Sequence, residues 1–481
     1  MRAVVAVLDK KGERAAQNVA VMLEALRHKG ADVFGAASSS FFEIKSSLEQ
    51  LQIKDFKTSA AVGHIFLKIL AQDQPQFATL ENAVIVFDGR IYPPRRPFDV
   101  SHVAGWLENN LEAGAEALIR GFDGSFAFAA AEAERLIAGR DSLGLYPLYY
   151  GENEDLFAIA SECKALWKIG LEKVNSFPPG HIALIDKKGA KIKPVKTIKS
   201  SDLGSITMEE GVEKLQRLLQ RSVKERVLGL NEVAVAFSGG LDSSLTALLA
   251  KKTGAKVHLI HVSLENQLET MQAREAAALL GLPLHIYLYS EKDVEKVIPK
   301  VLWAIESPDP VKTSIGIPFF WTAEKTAEMG FRVLLAGQGA DELFGGYMHY
   351  LNLYLQRGEE AAQKKIFNDI LKMYETNFER DSKICSFHNV ELRLPFATRQ
   401  LTEFALSLPL QLKIEPAKDT LRKIVLRKAA EKMGLPLQIT NKPKKAVQYA
   451  TGVSKALKKL AERNKLPLRE YLQKVFKFPT I

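Results

Sequence analysis

The chain has 481 residues, too many for one hydrophobic core, so we expect two domains of roughly 200 to 280 residues. Hydrophobic residues make up 47% and charged residues 25%, a balance that excludes a disordered chain and predicts a folded one throughout. No apolar run reaches the roughly 18 residues of a membrane span, and the two cysteines, Cys163 and Cys385, form no CxxC pair. These features argue against a disulfide framework or a zinc site and favour a cytoplasmic protein.

The formal net charge of +10 is compatible with a nucleic-acid partner or with an anionic substrate such as a nucleotide. Residues 441–465 contain seven lysines and one arginine against a single acid, Glu462. Only one aromatic residue, Tyr449, accompanies them, and binding to single strands usually needs several stacking rings. We therefore disfavour nucleic acid and favour a nucleotide.

Short β-rich runs separated by Gly, Pro and Asp dominate the chain up to about residue 195. Helical periodicity is present only near 18–28 and 100–113. This pattern predicts two sheets with a few helices. Residues 187–205, rich in Lys, Ser and Gly, are predicted to be a linker.

Strands and helices alternate after the predicted linker. Apolar runs at 232–237, 257–262 and 333–336 are separated by helical segments, one of which starts near Leu241. Such alternation predicts a doubly wound parallel sheet. From about Glu359 onward the pattern is almost wholly helical.

The segment FSGGLDSS at 237–244 lies between a predicted strand and a predicted helix. Its glycines allow a tight turn in which backbone N–H groups and the helix N-terminus face an anion, such as a polyphosphate. The serines add hydroxyl donors, and Asp242 can hold the magnesium ion that accompanies phosphates. The alternative is a serine-rich helix cap without a ligand.

This segment resembles the pyrophosphate-binding loop of the PP-loop ATP pyrophosphatases, which transfer AMP to a carboxylate or carbonyl. A second segment, AGQGADELFGGY at 336–347, resembles a signature of asparagine synthetases and again follows an apolar strand. By that resemblance Asp341 is a second magnesium ligand opposite Asp242. The alternative for Asp341 is an exposed acidic helix cap.

Two segments extend the resemblance into the last third of the chain: VELRLPF at 390–396 and KPKKAVQY at 442–449. The second implies that Lys444 is a catalytic cation, which would stabilise charge on the adenylate and on the leaving group. A solvated lysine cluster is the alternative. Because Lys445 is adjacent, the match to the family's catalytic lysine could also shift by one residue.

The resemblance implies ATP and Mg²⁺ as cofactors. It also implies an N-terminal α+β layered sandwich of the class II amidotransferase kind over 1–190 and an α/β PP-loop domain with a helical extension over 205–475. The implied catalytic residues are Lys444, Gln338 and Asp341, and the implied ATP- and pyrophosphate-binding residues are Ala236, Ser238, Gly239, Gly240, Leu241, Asp242, Ser243, Ser244, Val262, Ala336 and Gly337.

The first 185 residues resemble a class II glutamine amidotransferase domain through LRHKGAD at 26–32 and RDSLGLYPLYY at 140–150. The catalytic positions of that family are replaced. Arg2 stands in place of the nucleophilic cysteine, and Phe66 stands in place of the arginine that clamps the substrate. The family's Asn-Gly-Glu is replaced by Asp88-Gly89-Arg90. We expect no glutaminase activity. Three roles for this domain remain open: a scaffold, a docking surface for a separate ammonia donor, or a relic domain.

We expect the chain to adenylate a carboxylate, by default aspartate, and to transfer ammonia or another amine to it. Gln338 stands where asparagine synthetases have glutamate and β-lactam-forming relatives have tyrosine, and it cannot act as a base. Glu306 and Glu342 are candidate replacements, and Thr398 departs from the family aspartate.

Three alternatives to this reaction remain at this point. They are a β-lactam-synthetase-like or other amine-accepting ligase, a PP-loop enzyme that modifies tRNA, and a binding protein without activity. A homodimer is compatible with the resemblance, and no membrane partner is expected.

Overall fold

The computed structural model describes residues 3–93, 99–108, 110–200, 204–417, 421–443 and 450–476. The described residues divide into two compact units, which meet in the sequence between Thr197 and Ile198. Among the described residues, none of the helices combines the length and the apolar character that a membrane crossing requires.

Two antiparallel sheets form the first unit. The seven-stranded sheet has the spatial order β11 (Val174–Ser176), β9 (Tyr149–Glu152), β10 (Leu156–Ala160), β1 (Ala3–Asp9), β4 (Ala60–Phe66), β2 (Val33–Ala37) and β3 (Phe42–Lys45). The six-stranded sheet has the order β13 (Gly189–Pro194), β12 (His181–Asp186), β8 (Leu136–Arg140), β7 (Asp123–Ala131), β6 (Val84–Tyr92) and β5 (Phe77–Thr79).

The period-2 alternation of strand side chains produces the layers of this unit. In β1, Val5 and Val7 belong to the core beneath helix α1 (Ala15–Ala25), whereas Val4, Ala6 and Leu8 face the second sheet. The outer face of the second sheet packs against α2 (Asp99–Leu107) and α3 (Leu111–Gly121), and α4 (Cys163–Lys168) packs on the first. The predicted α+β layered sandwich is therefore confirmed.

One local prediction for this unit was wrong. The proposed linker over 187–205 contains β13, whose half-exposed residues pair with β12 at the sheet edge, so its polar composition resembles that of a loop. The helical pattern near 100–113 is confirmed and corresponds to two helices, because α2 ends at Leu107 and Asn110 caps α3 by accepting a hydrogen bond from the Ala113 amide at 2.9 Å.

The second unit contains a five-stranded sheet in which every pair is parallel. Its spatial order is β16 (Leu284–Tyr289), β15 (Lys256–Leu264), β14 (Glu232–Ala236), β17 (Val333–Leu335) and β18 (Glu391–Arg393). The predicted doubly wound sheet is confirmed. The strand β18 was not predicted, because it is only three residues long in a region of helical pattern.

Helices cover the sheet and continue beyond it. Several begin at strong caps: Thr207 and Ser290 form capping boxes, and Asp309 caps a helix whose first residue is Pro310. The helices are α5 (Met208–Val227), α6 (Leu241–Lys252), α7 (Leu268–Leu280), α8 (Glu291–Ile305), α9 (Pro310–Glu328), α10 (Ala340–Phe344), α11 (Met348–Arg357), α12 (Glu359–Met373), α13 (Glu379–Phe387), α14 (Arg399–Ser407), α15 (Ile424–Lys432), α16 (Leu437–Thr440), α17 (Val453–Arg463) and α18 (Leu468–Val475).

Candidate active site

The site lies where the strand order of the parallel sheet reverses. From β14 the chain proceeds to β15 and β16 on one side, and then returns to β17 and β18 on the other. Because β14 and β17 are parallel neighbours, the loops that follow them emerge side by side at the carboxyl edge of the sheet. This switch point is where open α/β sheets bind ligands.

The loop after β14 has the geometry of an anion cradle. Gly239 has a φ of +72°, and a side chain there would place its Cβ 2.8 Å from the Cα of Ala273 on α7. Ser238 is exposed, and its amide and hydroxyl lie 3.3 and 3.2 Å from the Ser243 hydroxyl. Ser244, by contrast, is fully buried, and its hydroxyl has no hydrogen-bond partner among the described residues.

The carboxylates of Asp242 and Asp341 share one cation, the ammonium of Lys423. Its Nζ lies 2.8 and 2.7 Å from the two oxygens of Asp242 and 2.7 Å from Oδ1 of Asp341. Lys423 is 2% exposed and stands just before α15 in a left-handed conformation with φ +63°. The ammonium therefore offsets the mutual repulsion of the two carboxylates.

Two glycines of the second signature make this close approach possible. A Cβ on Gly337 would lie 2.9 Å from the Cβ of Asp242, and one on Gly346 would overlap Asp341 Oδ1 and Lys423 Cε. Any side chain at either position would separate the two loops. The glycines therefore fix the carboxylates within reach of one cation.

The arrangement fits a divalent cation, which the site would hold through Asp242 and Asp341. Two carboxylates that converge on a single ammonium present the hard oxygen ligands that magnesium prefers. The guanidinium of Arg422 donates to the Gly346 carbonyl at 2.9 Å and adds positive charge at this edge. Cations around a glycine-rich loop suit a polyphosphate.

Gln338 contacts a buried carboxylate that the sequence did not single out. Its Nε2 donates to Oδ2 of Asp381 at 2.8 Å, and Arg380 donates to the same carboxylate from Nε at 2.7 Å and from Nη2 at 3.0 Å. Asp381 is fully buried, and burial raises its pKa despite these partners. Asp381 is thus a titratable group beside Gln338, the residue that replaces the titratable glutamate of asparagine synthetases.

The two bases considered from the sequence are already engaged. Glu342 accepts hydrogen bonds from the Tyr347 hydroxyl and the Asn377 amide, both at 2.7 Å, and burial raises its pKa. Glu306 accepts from the ammonium of Lys383 at 3.1 Å. Asp381 is engaged as well, by Arg380 and Gln338, but it is a better candidate for a base because it contacts Gln338 directly.

Lys444 lies outside the described residues, so its catalytic role stays a prediction. The chain just before it is held by Arg427, which donates to the carbonyls of Thr440 and, at 3.0 Å, Lys442. Thr398 caps α14, because its hydroxyl accepts from the Leu401 amide at 3.0 Å. Threonine in place of the family aspartate therefore keeps a capping oxygen.

Comparison with known proteins agrees with this geometry. The family model described as asparagine synthase matches residues 214–361 and 352–476, and the one described as a glutamine amidotransferase domain matches 63–168. A putative glutamine-hydrolysing asparagine synthetase of Methanocaldococcus jannaschii is 31% identical over 97% of both chains. The chain belongs to the asparagine synthetase family. It is accordingly an ATP-dependent amide ligase.

Plant members of the asparagine synthetase family are more distant. The asparagine synthetase of Triphysaria versicolor is 27% identical, with 79% of this chain and 68% of its own length covered. Asparagine synthetase 2 of Arabidopsis thaliana is 28% identical over 79% of this chain and 69% of its own. Both names describe glutamine-hydrolysing enzymes.

The first unit of this family member contains a closed polar cluster around Asp88, one of the positions at which the sequence departs from the amidotransferase pattern. Asp88 accepts a hydrogen bond of 2.5 Å from the Tyr146 hydroxyl, which also lies 2.9 Å from the Ser161 hydroxyl. Nε2 of His64 is 3.5 Å from Asp88 Oδ1. Burial opposes ionisation of Asp88, but the close contacts with His64 and with the Tyr146 hydroxyl hold its pKa below the usual range. This position therefore holds a buried carboxylate and not a hydrogen-bond donor for an oxyanion.

The neighbouring positions hold a buried aromatic ring and a paired arginine. Phe66 is 3% exposed, and the ring of Phe77 packs edge-on against His64 with centroids 5.6 Å apart. Arg90 pairs with Asp73 through two contacts of 3.1 and 2.7 Å, so its charge is already matched. Arg2 lies outside the described residues.

Proposed function

We propose that this ligase adenylates a carboxylic acid, aspartate by default, and transfers ammonia or another amine to the acyl group without using glutamine. The proposal is supported most by the carboxylates of Asp242 and Asp341, which converge on the ammonium of Lys423 beside the Gly239 loop. In the first step a carboxylate oxygen attacks the α-phosphorus of ATP, and the bond to the bridging oxygen breaks to release pyrophosphate.

In the second step the amine nitrogen attacks the acyl carbon, the bond to AMP breaks, and the nitrogen loses a proton. We propose Asp381 as the acceptor of that proton, since it is buried beside Gln338 and its raised pKa makes it a stronger base than an ordinary carboxylate. Gln338 would orient Asp381, with its own amide oxygen left to accept from the amine.

Cations of the chain support the leaving groups. Lys423 is positioned at the phosphate edge, and Lys444 is the predicted further cation. Magnesium bound by Asp242 and Asp341 would neutralise charge on the triphosphate. Electrostatic stabilisation of this kind is a large contribution to phosphoryl and adenylyl transfer.

Ammonia or an amine as the nitrogen source is supported by the first unit. Asp88 is hydrogen-bonded to Tyr146, Phe66 is buried, and Arg90 is paired with Asp73. The positions expected for the oxyanion hole and for the substrate clamp are therefore occupied by side chains with other partners. We therefore do not propose glutamine hydrolysis for this chain, although the names of its relatives include that activity. A homodimer and a separate ammonia-donating protein remain proposals for the partners.

A second candidate is a ligase that accepts an amine other than ammonia, including an intramolecular amine as in β-lactam formation. Gln338 favours it, because neither the family glutamate nor the tyrosine of the β-lactam-forming relatives is present. The pair Gln338 and Asp381 would then meet a different nucleophile.

ATP–pyrophosphate exchange with a panel of carboxylic acids tests the proposal. We expect exchange with aspartate or a close analogue in the presence of magnesium, and amide formation when ammonium or amines are added. If the products were ADP and phosphate, adenylation would be excluded. Exchange with aspartate but product only with a larger amine would favour the second candidate.

A further inference from the structure

A cavity of about 230 Å³ lies in the second unit between α12 and the segment that follows α14. Its walls are mainly apolar, and several of the lining side chains are 1 to 2% exposed, namely Ile366, Leu408 and Leu410. Phe367 and Leu406 complete the apolar lining. One lysine, Lys413, also lines the cavity.

Lys413 is an isolated buried amine. It is 4% exposed, and in the part of the chain that the structure describes its ammonium makes no hydrogen bond or ion pair. Burial lowers the pKa of Lys413 to about 7. An amine without a counter-charge in apolar surroundings is stabilised by any anion that can reach it.

We propose that this cavity binds a small aliphatic carboxylate, with its head group on Lys413 and its chain against the apolar walls. The volume equals that of roughly eight water molecules, which suits a chain of about five or six carbons. A single lysine matches a singly charged carboxylate, whereas a phosphate dianion needs several donors. The inference does not depend on the proposed reaction.

The mouth of the cavity is polar, in contrast to its walls. Glu360 and Lys364 on α12 are exposed there and carry opposite charges, and Ser200 is also exposed. The amide of Gln363 donates to Glu359 at 2.8 Å and so belongs to the helix surface. Among the described contacts, Glu360 forms no ion pair with Lys413, so the ammonium has no paired negative charge.

The cavity adjoins the loop that carries Asp341. Ile414, the residue after Lys413, packs so closely on Gly345 that a Cβ there would lie 2.6 Å from its Cδ1. The next residue, Gly346, donates its amide to the Asp341 carbonyl at 2.7 Å. A bound carboxylate would therefore lie behind the signature loop, away from its ligand-facing side.

Calorimetric titration of the full-length protein with sodium hexanoate tests the site. We expect binding to the wild type and to Lys372→Met, which alters an exposed lysine of α12 outside the cavity, and at least about tenfold weaker binding to Lys413→Met. Hexylamine, of similar length and opposite charge, should not bind. Equal affinity of hexanoate for Lys413→Met and wild type, or no binding to wild type, would overturn the proposal.

A second measurement on the wild type decides the matter if Lys413→Met fails to fold. Brief acetylation at pH 6 to 9, read by mass spectrometry, should modify Lys413 with a midpoint near 7. Hexanoate should slow acetylation of Lys413 at pH 6 by about tenfold, because an adjacent carboxylate favours the protonated amine. A rate for Lys413 that hexanoate leaves unchanged would contradict binding on this amine.

Discussion

The ammonium of Lys423 lies 2.7 Å from Oδ1 of Asp341 and holds that carboxylate beside Asp242. A lysine thus stands where a divalent metal is expected once nucleotide binds. Both cations satisfy the same carboxylates, so metal binding requires the lysine to give up part of this contact. The free protein should consequently bind divalent ions weakly.

Removing the ammonium should strengthen metal binding and weaken the fold. We expect Lys423→Met to bind Mn²⁺ at least about tenfold more tightly than wild type without ATP, as measured by electron paramagnetic resonance of free Mn²⁺. Loss of one partner from this largely buried ion cluster should lower the free energy of unfolding by about 3 kcal/mol. The exposed Lys428 on α15 offers a matched control, Lys428→Met, which should change neither quantity. Unchanged Mn²⁺ affinity in Lys423→Met would show that the lysine does not compete.

Each carboxylate should be needed for adenylation but not for folding. In Asp242→Asn or Asp341→Asn one carboxylate remains to pair with Lys423, so circular dichroism should stay native-like while ATP–pyrophosphate exchange is lost. Asp155→Asn, which alters an exposed ion pair with Lys11 in the first unit, is the control. Near-normal exchange in either site variant would exclude the two-carboxylate metal site.

The pair of Gln338 and Asp381 makes a pH-dependent prediction. In Gln338→Glu two carboxylates would face each other in a buried setting, and the folded state would retain a proton that the unfolded chain releases. Stability of this variant should therefore fall as pH rises from about 5 toward 8, relative to wild type, in chemical denaturation. The same stability difference at both ends of that range would mean that the two side chains do not interact.

Asp381 itself should affect the amine step more than adenylation. Asp381→Asn keeps the shape but removes the proposed base, so we expect pyrophosphate exchange to persist while amide formation falls by about 100-fold. Exchange and amide formation that fell equally would assign Asp381 a structural role.

The local pattern was sufficient to predict the two loops but not the contacts between distant segments. Gly239 and Asp242 lie where an apolar strand gives way to a helix, so their placement could be deduced from adjacent residues. Lys423 is 181 positions from Asp242, and nothing in its immediate sequence distinguishes it from the other basic residues around it. Asp381 was missed for the same reason, since its significance comes from burial and from Gln338. The edge strand β13 escaped notice because exposed strands lack an apolar pattern.

The nitrogen source can be tested with isotopes. With ATP and the preferred acid, label should enter the product from ¹⁵N-ammonium and not from glutamine labelled in its amide, and the rate with ammonium should rise from neutral toward alkaline pH as free ammonia increases. Label from the glutamine amide, in a preparation free of other amidotransferases, would mean that the first unit is active despite Asp88 and Phe66.

Adenylation is tested most directly by following oxygen from the acid into AMP. The carboxylic acid that gives the fastest pyrophosphate exchange is labelled with ¹⁸O in its carboxylate and incubated with ATP, magnesium and ammonium, and the AMP is analysed by mass spectrometry. Transfer of one ¹⁸O atom to each AMP is predicted, because the carboxylate oxygen attached to the α-phosphorus stays with AMP when the amine displaces it. Unlabelled AMP, or ¹⁸O in inorganic phosphate together with ADP, would contradict formation of an acyl-adenylate.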